Sequence, residues 1–378
     1  MTLVAENLYT GYHVGFDCVD SSVAPTESFK CHVCLLCVVA DYPALALVTG
    51  FTHSGGRPCH WCKVEYKKNM ATHRYTSGFR QFLPPLHEGR RAGGNFDTQE
   101  LRSPPAYRTH KETVISGLLN RDWQGYKNAR PVLTTGVCNW SPLCVVPLFD
   151  IVWDAMGDMM HDCLAFPHHI LPVMKGTTAL APPRPLKLVD DDKDEITDEE
   201  QQAENTEKTR INLERQERHQ LEQMAVKGAA ISGEMQTTVD ARFSRLHGLM
   251  KCFGRQDKTV FQKKSSMITS DWTHFLQYAD VYAFHGVLEE PYNSAYFGFT
   301  GVYRTLLDFT CNTDQTLVEA TRSIERLETS IVESLTAFER VWPSCLFSGP
   351  VIHSLLHFPR HILRYNSPRN YWCYFNER

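Results

Sequence analysis

A segment with little propensity for regular structure most constrains how this chain can fold. Residues 52–110 are rich in Gly, Pro, His and Arg, a composition that predicts irregular backbone in need of a staple. The motif Cys59-His60-Trp61-Cys62 lies inside this segment. Two thiolates separated by two residues can bind one tetrahedral zinc ion, because the turn between them brings both sulfurs to one side. A single motif of this kind also occurs without metal. A tetrahedral zinc ion needs two further ligands.

His353 and His357 are the candidates for those two ligands. They lie four residues apart, hence on one face of the chain if it is helical, and the alternative is a pair of core or surface histidines. No Glu follows the first His, which excludes the metalloprotease motif because its general base is absent. A site of two cysteines and two histidines has no open coordination position. It would therefore be structural and would tie residues 52–110 to the far end of the chain.

Two groups of polar residues in the first half of the chain are candidates for chemistry. Residues 29–40 form a nearly continuous apolar run with β-branched residues, which predicts one strand buried on both faces. Asp41 follows this run, either as a metal-binding catalytic carboxylate or as the cap of a helix that begins near Pro43. Asp158 and His161 are three residues apart and can hydrogen-bond on one helix face, and the alternative is a purely structural pair.

Composition separates the second half of the chain into two kinds of segment. Residues 190–204 hold nine acidic residues and one lysine, which predicts a solvated linker or an exposed helix. Apolar residues recur every three or four positions over residues 314–342. This pattern predicts a helix, capped by Asp314, whose apolar stripe packs into a core.

Overall composition narrows the class of protein. The chain has 378 residues, 42% of them hydrophobic, and a net charge of −4, which excludes wholesale disorder and a strongly basic tail. No apolar run reaches the roughly 18 residues of a membrane helix, and the N-terminus lacks a basic start and an apolar signal core. The 13 cysteines favour reduced thiols over a secreted disulfide framework. We expect a soluble intracellular protein that is not secreted.

Six motifs in order give the chain a family resemblance. They are Asp41-Tyr42-Pro43-Ala44, Cys59 with Cys62, Arg80-Gln81-Phe82-Leu83-Pro84 with His87 and Arg90-Arg91, Leu148-Phe149-Asp150-Ile151 with Asp158–His161, His353 with His357, and Trp372–Arg378. Together they resemble transposases of the CACTA (En/Spm) type and their fungal relatives. The resemblance runs from about residue 3 to the end of the chain, except for the acidic tract.

The resemblance implies a fold and a set of site residues. The fold would be α/β and α-rich, a partial RNase H-like core with a large all-α insertion. In the family two Asp and one Glu hold two Mg²⁺ ions that cleave and join DNA. Asp41 resembles the second catalytic Asp, and Asp158 with His161 resembles the Asp/Cys-x-x-His motif. Glu377 resembles the catalytic Glu because it follows His357 by twenty residues, as in the related V(D)J recombinase.

Two further points come from the resemblance. The V(D)J recombinase also staples its insertion with two cysteines and two late histidines, which implies structural zinc on Cys59, Cys62, His353 and His357. Asp271, next to Trp272, is the alternative to Glu377 as the third acid.

The chain also departs from the family pattern. The first catalytic Asp belongs on a strand well upstream of Asp41, and Asp17 and Asp20 are too close for the intervening strands of about five residues each. We therefore expect a chain truncated at both ends relative to the family, and without transposase activity.

These inferences lead to one expected organisation and function. Residues 1–175 would form the partial RNase H-like core with the zinc region, 176–230 an acidic low-complexity linker, 231–350 the all-α insertion, and 351–378 the histidine pair and the start of the Glu-bearing helix. We expect a transposon-derived DNA transposase, ancestrally Mg²⁺-dependent, acting on transposon ends in the nucleus or nucleocytoplasm. A homo-oligomer is compatible with this function. The alternative is a non-catalytic, zinc-stabilised DNA- or protein-binding module.

Overall fold

The fold is seen in a computed structural model of the protein. The residues that it describes are 2–20, 27–52, 56–68, 75–76, 78–84, 87, 104–122, 135–163, 165–178, 180, 182–183, 185–187, 198–247, 259–262, 267–309, 316–343, 346 and 351–368. Helices predominate, and the sheets are small two-stranded pairs. The predicted α-rich α/β class is confirmed.

The N-terminal part combines two helices with two strand pairs. Helix α1 is followed by an antiparallel hairpin, and a separate parallel pair joins the end of this region to residues 155–157. The elements are α1 (Thr2–His13), β1 (Phe16–Asp20), β2 (Glu27–Cys31), β3 (Val38–Ala40), α2 (Tyr42–Thr49), β4 (Lys67–Lys68), β5 (Tyr75–Thr76), α3 (His110–Asp122) and β6 (Ala155–Gly157). Strands β4 and β5 form a further short antiparallel pair.

The prediction of a single buried strand over residues 29–40 is wrong. Its first residues belong to β2, residues 32–37 have no regular structure, and its last three form β3. Strand β2 pairs with β1, whereas β3 pairs with β6. Because the two ends of the run belong to different sheets, the chain has to change direction between them. Leu36, in this connection, is 68% exposed.

Helices make up most of the remaining described residues. They are α4 (Met159–Asp162), α5 (Leu171–Met174), α6 (Asp198–Ala229), α7 (Gly233–His247), α8 (Thr269–His274), α9 (Asp280–Phe284), α10 (Tyr292–Asp308), α11 (Leu317–Val341), α12 (Val351–Ser354) and α13 (Phe358–Tyr365). Short π-helical turns, Phe166–Ile170 and Phe275–Ala279, lead into α5 and α9. None of the described helices is both long and apolar enough to cross a bilayer.

Helix α11 forms where the apolar periodicity predicts it. Its buried stripe includes Ile324, Leu327, Ile331, Leu335 and Phe338 and packs into the larger hydrophobic core. The helix cap differs from the prediction. Thr316 accepts a hydrogen bond from the backbone of Glu319, whose carboxylate accepts one from the Thr316 backbone. This capping box satisfies two of the four backbone N–H groups that a helix start leaves without partners. Asp314 lies outside the described residues.

The acidic tract is described in part. Residues 190–197 lie outside the described residues, and residues 198–229 form helix α6. The Asn212 side chain exchanges two hydrogen bonds with the backbone of Leu186, which attaches the preceding segment to this helix. The boundaries of the four expected domains stay a prediction.

Helix α11 carries a buried carboxylate that should make stability depend on pH. Burial raises the pKa of Glu339 to about 7, although its hydrogen bond from the Phe79 backbone lowers it in part. A carboxyl with a raised folded-state pKa contributes its full share to the free energy of unfolding at pH values below its unfolded pKa of about 4.3. That contribution is lost as the pH rises to about 7.

We predict that Glu339→Gln makes the protein more stable than the wild type at pH 8 by about 3–4 kcal/mol, from a folded-state pKa of about 7 against an unfolded pKa of about 4.3 at about 1.4 kcal/mol per pKa unit. Glutamine keeps the acceptor for Phe79 but carries no charge. Urea unfolding at pH 5 and pH 8 measures the difference. Glu325→Gln, at an exposed position of the same helix, is the matched control. Equal stability of wild type and Glu339→Gln at both pH values would contradict the prediction.

Candidate metal centre

The Cys59–Cys62 turn is fixed by the segment that runs antiparallel to it. Cys62 forms an isolated β-bridge with Tyr107, and the backbone N–H of Arg108 donates to Trp61 O at 2.8 Å. The Arg108 side chain then donates through Nε to the carbonyl oxygens of both Cys59 and Cys62, each at 3.1 Å. One guanidinium therefore holds the backbone at the two cysteines and sets the orientation of the thiols.

The histidine pair approaches from the other end of the chain. His353 lies in α12 and His357 immediately precedes α13, so the two are not on one continuous helix. The intervening chain forms a tight turn in which Leu356 N–H donates to His353 O and His357 N–H to Ser354 O. This turn directs the Nε2 atoms of both rings toward the same point, at 3.1 Å from each other.

The four side chains that the zinc prediction names lie next to one another. Cys59 Sγ lies 3.3 Å from His357 Nε2, Cys62 Sγ lies 3.4 Å from His353 Nε2, and the two sulfurs are 3.5 Å apart. All four ligand atoms lie within 4.8 Å of one another, and all four residues are buried.

These separations fit a tetrahedral zinc ion. With zinc about 2.3 Å from sulfur and about 2.0–2.1 Å from nitrogen, the edges of the tetrahedron are about 3.8 Å between sulfurs, about 3.5 Å between sulfur and nitrogen and about 3.3 Å between nitrogens. The observed edges are shorter by at most a few tenths of an ångström. The cluster therefore has the donor atoms, the number of ligands and the size that zinc requires.

Burial and mutual contact perturb the acid–base properties of the four groups. Burial raises the Cys59 pKa, but the Cys62 hydrogen bond and the adjacent His357 and His353 outweigh it and bring the pKa well below its usual value. Burial and the neighbouring Cys59 raise the pKa of Cys62. Burial lowers the pKa of His357. A neutral imidazole next to a thiolate is the protonation state that a metal ligand needs.

Aromatic rings enclose the cluster. The Trp61 ring lies 5.1 Å from the His357 ring, and the Phe82 ring lies 5.4 Å from that of His353. His60, between the two cysteines, faces away from the cluster, with its Nε2 at 2.9 Å from Ile151 O. Burial lowers the pKa of His60 to about 3, so this ring is neutral. The enclosure keeps water from the cluster and favours a structural role.

Two aspartates lie together at the ends of neighbouring parallel strands. Ala40 of β3 is in register with Gly157 of β6, and each strand is followed directly by an Asp. The backbone N–H of Asp158 donates to Ala40 O at 3.1 Å. The carboxyl ends of parallel strands are a common position for binding groups in α/β folds. The structure thus brings Asp41 and Asp158 to one edge of the sheet.

The comparison with known families bears on this N-terminal region. Residues 1–118 match the model of the transposase family tnp2. This match covers Asp41, Cys59 and Cys62, whereas Asp158 and the histidine pair lie beyond it. No curated protein and no solved structure matches the chain. The N-terminal third is therefore similar to tnp2 transposases.

Asp41, inside the tnp2 match, also has the capping role that the sequence left open. Its Oδ1 accepts a hydrogen bond from Ala44 N–H at 2.8 Å at the start of α2. Pro43 occupies the first turn, where its missing N–H costs nothing. A carboxylate that caps a helix keeps its second oxygen for another ligand, so the cap does not exclude metal binding.

Asp158 and His161 form the pair that their spacing predicts. His161 Nδ1 lies 2.6 Å from Asp158 Oδ2, and the Asp158 Oδ1 accepts from Met160 N–H at 3.2 Å. Asp158 is 1% exposed, so its oxygens are satisfied by these protein contacts rather than by bulk water. The pair is part of a turn that starts α4, directly after β6.

Asp162 was missed in the sequence although it follows Asp158 at helical spacing. Its Oδ2 accepts a hydrogen bond from the Ser354 hydroxyl at 2.6 Å. Burial raises its pKa to about 8, and the adjacent Asp158 charge adds to the effect. Asp162 therefore connects the aspartate edge to the residue next to His353. The spacing of four residues between two acids was the available signal.

The two candidates for the third acid have different outcomes. Glu377 lies outside the described residues. Asp271 lies in the first turn of α8, where its Oδ2 accepts from Ile268 N–H at 2.8 Å. The neighbouring Trp272 packs into the helical core. Asp271 thus has a capping contact of its own, and which of the two acids serves the site stays a prediction.

Proposed function

We propose that this protein is a transposon-derived DNA transposase of the CACTA (En/Spm) type with an RNase H-like core. The observation that carries the proposal is the tnp2 match over residues 1–118, which includes Asp41. The parallel β3–β6 pair supports it, because a second motif of the resemblance, Asp158 with His161, follows the adjacent strand.

We further propose that Cys59, Cys62, His353 and His357 hold one structural zinc ion. All four coordination positions would be taken by protein, so the ion would have no open position for a substrate. Its task is mechanical. The cluster joins residues 298 positions apart in the chain, and so attaches the irregular segment to the C-terminal helices.

In the ancestral transposase, the catalytic groups would be those at Asp41, Asp158, His161 and Glu377, with Mg²⁺ held by Asp41 and Glu377. Two Mg²⁺ ions supply an activated oxygen nucleophile and stabilise the leaving oxygen of a phosphodiester. Asp41 contributes a carboxylate at the strand edge, and His161 orients the buried Asp158 through its Nδ1.

We propose that the 378 residues alone do not cleave DNA. Among the described residues, the cysteine–histidine cluster is the group of three or more His, Cys, Asp and Glu side chains close enough to share an ion. Asp17, the aspartate upstream of Asp41 whose side chain is described, is 83% exposed and pairs with Lys30 in the separate β1–β2 hairpin. It supplies no carboxylate to the β3–β6 edge.

The second candidate function is a non-catalytic, zinc-stabilised module that binds DNA or protein. The closed geometry of the cluster favours it, since a fully ligated ion has structure rather than catalysis as its role. Either candidate would work in the cell nucleus or nucleocytoplasm, and assembly as a homo-oligomer is compatible with either.

DNA binding and DNA cleavage separate these possibilities. The zinc-loaded chain is titrated into labelled duplex DNA at several salt concentrations, and the same mixtures are incubated with Mg²⁺ or Mn²⁺ and analysed on denaturing gels. We expect binding that weakens as salt rises, by counterion release from the phosphates, and no cleavage. Cleavage or strand joining would support the transposase and refute the proposed inactivity. Absence of DNA binding at low salt would contradict the transposase and the DNA-binding form of the second candidate.

Substitutions of Asp41 test its capping role. Asp41→Ala removes the acceptor for Ala44 N–H and should destabilise the protein by about 1 kcal/mol. Asp41→Asn keeps an acceptor and should leave stability within about 0.5 kcal/mol of the wild type. Urea unfolding measures both, with Asp17→Asn as the exposed control. Equal losses for Asp41→Ala and Asp41→Asn would contradict the capping role.

A further inference from the structure

A cavity of about 270 Å³ lies beside the cysteine turn. Three cationic side chains line it, together with one carboxylate and two hydroxyls of helix α3. These residues are Arg57, Lys63, Arg108, Glu112, Thr113 and Ser116. The cavity therefore lies between the end of the cysteine turn, Arg108, which holds that turn, and one face of helix α3.

Arg108 forms the buried part of this cavity and has an unsatisfied donor. The residue is 6% exposed. Its Nε and Nη1 atoms donate to backbone carbonyls, those of Cys59, Cys62 and Thr135. Its Nη2 is buried and has no hydrogen-bond partner among the described residues. A buried guanidinium N–H without a partner is costly, which favours a further acceptor at this atom.

Gly136 keeps space at this nitrogen. Its backbone has φ of +74°, and a Cβ at this position would lie 3.2 Å from Arg108 Nη2 and 2.1 Å from Arg57 O. Any other residue would therefore collide with the wall of the cavity next to the unsatisfied donor. The guanidinium is also held from another side by the Phe51 ring, 5.1 Å from the Arg108 Cζ.

The charges of the cavity do not balance. Lys63 Nζ pairs with Glu112 at 2.7 Å, and Arg57 pairs with Glu65 at 3.6 Å at the surface. No ion pair to a carboxylate is found for Arg108 among the described side chains. Thiolates of the nearby cluster would be neutralised by the zinc that we propose there. Among the described side chains, the buried positive charge of Arg108 would then have no compensating anion.

We propose that this cavity is a binding site for a phosphate group. Arg108 would donate its Nη2–H to a phosphate oxygen. Lys63 and Arg57, at the rim of the cavity, would neutralise the second negative charge of the phosphate. Ser116 offers a hydroxyl donor. Guanidinium and ammonium donors around one oxyanion form charge-assisted hydrogen bonds, which are the strong ones. The site takes either free phosphate or a phosphate of a nucleic-acid backbone. Its charge balance rests on the proposed zinc ion, but not on the transposase proposal.

Isothermal titration of the zinc-loaded full chain with inorganic phosphate tests the site, with chloride as the balancing anion. Lys63→Gln and Arg57→Gln should each weaken binding about three- to tenfold, since each removes one charge-assisted contact. Glu112→Gln should strengthen binding by a similar factor. It removes a negative charge and retains the acceptor that α3 uses at its start. Lys111→Gln, an exposed charge change on the same helix, is the matched control and should bind like the wild type.

Phosphate that does not bind, or Lys63→Gln and Glu112→Gln that both bind like the wild type, would overturn the proposal. A competition arm then identifies the source. If phosphate displaces duplex DNA from the wild type and Lys63→Gln weakens DNA binding in parallel, the site holds a backbone phosphate. If phosphate binds but DNA does not, the phosphate site stands for free phosphate while the DNA-related function fails separately. Zinc content and circular dichroism of each variant confirm that the site is intact.

Discussion

Cys62→Ser is expected to abolish zinc binding and to lower the free energy of unfolding by at least about 4 kcal/mol. The hydroxyl of serine does not ionise near neutral pH and is a poor ligand for zinc. The loss would extend beyond one ligand, because the cluster connects Cys59 to His357 across 298 positions of sequence. Without the metal, two buried thiols and two buried imidazoles would face one another with little to hold them together.

Zinc content by mass spectrometry under native conditions and urea unfolding with and without a chelator measure this effect. Cys163→Ala is the matched control. Cys163 is as fully buried as Cys62, but it lies in the helical core and outside the cluster. The control should lose packing energy of about 1–2 kcal/mol and retain one zinc ion per chain. A Cys62→Ser protein with full zinc content, or with wild-type stability, would contradict the structural metal site.

The metal centre was the part of the site most accessible from sequence. Thiol and imidazole are the side chains that bind zinc most often. The two-residue spacing of Cys59 and Cys62 lets one turn of backbone bring both sulfurs to one ion. The partners His353 and His357 were chosen because they repeat a ligand spacing, and the structure brings all four together. What sequence could not give is the break between α12 and α13. Four-residue spacing suggested one helix face, whereas a tight turn performs the same task.

Features that depend on tertiary pairing were less predictable. The run of residues 29–40 has the composition of a strand, but which sheet each end joins depends on β1 and β6, and no local pattern encodes that choice. Arg108 illustrates the same limit. A lone arginine in a Pro-rich segment has no motif, and its contacts to both cysteine carbonyls arise from the antiparallel approach of the segment around Tyr107. Asp41 and Asp158 were predicted only as two separate candidates. The register of β3 and β6 places them at one edge of the sheet.

Trp61→Ala is expected to destabilise the protein by about 3–5 kcal/mol, the range for removing a large buried aromatic side chain. Trp61 is 1% exposed and lies between the two cysteines of the cluster. Its indole N–H donates to Ala155 O at 3.1 Å, and its ring packs on the His357 ring. Gly157 leaves room for it, since a Cβ there would lie 3.3 Å from the ring. One side chain thus joins the cysteine turn, a histidine ligand and strand β6.

Stability and the rate of zinc release together show whether Trp61 positions the His357 ligand or only fills the core. Trp61→Phe keeps most of the apolar area but leaves the Ala155 carbonyl without its donor, so we expect a smaller loss of about 1–3 kcal/mol with zinc retained. Trp61→Ala should in addition release zinc faster to a chromophoric chelator, because the ring of His357 loses the surface that holds its orientation. Trp153→Ala, at a half-buried tryptophan of the same region, serves as the control. If Trp61→Ala releases zinc at the same rate as Trp153→Ala, the tryptophan fills the core without positioning the ligand, and the coupling between strand β6 and the metal centre is refuted.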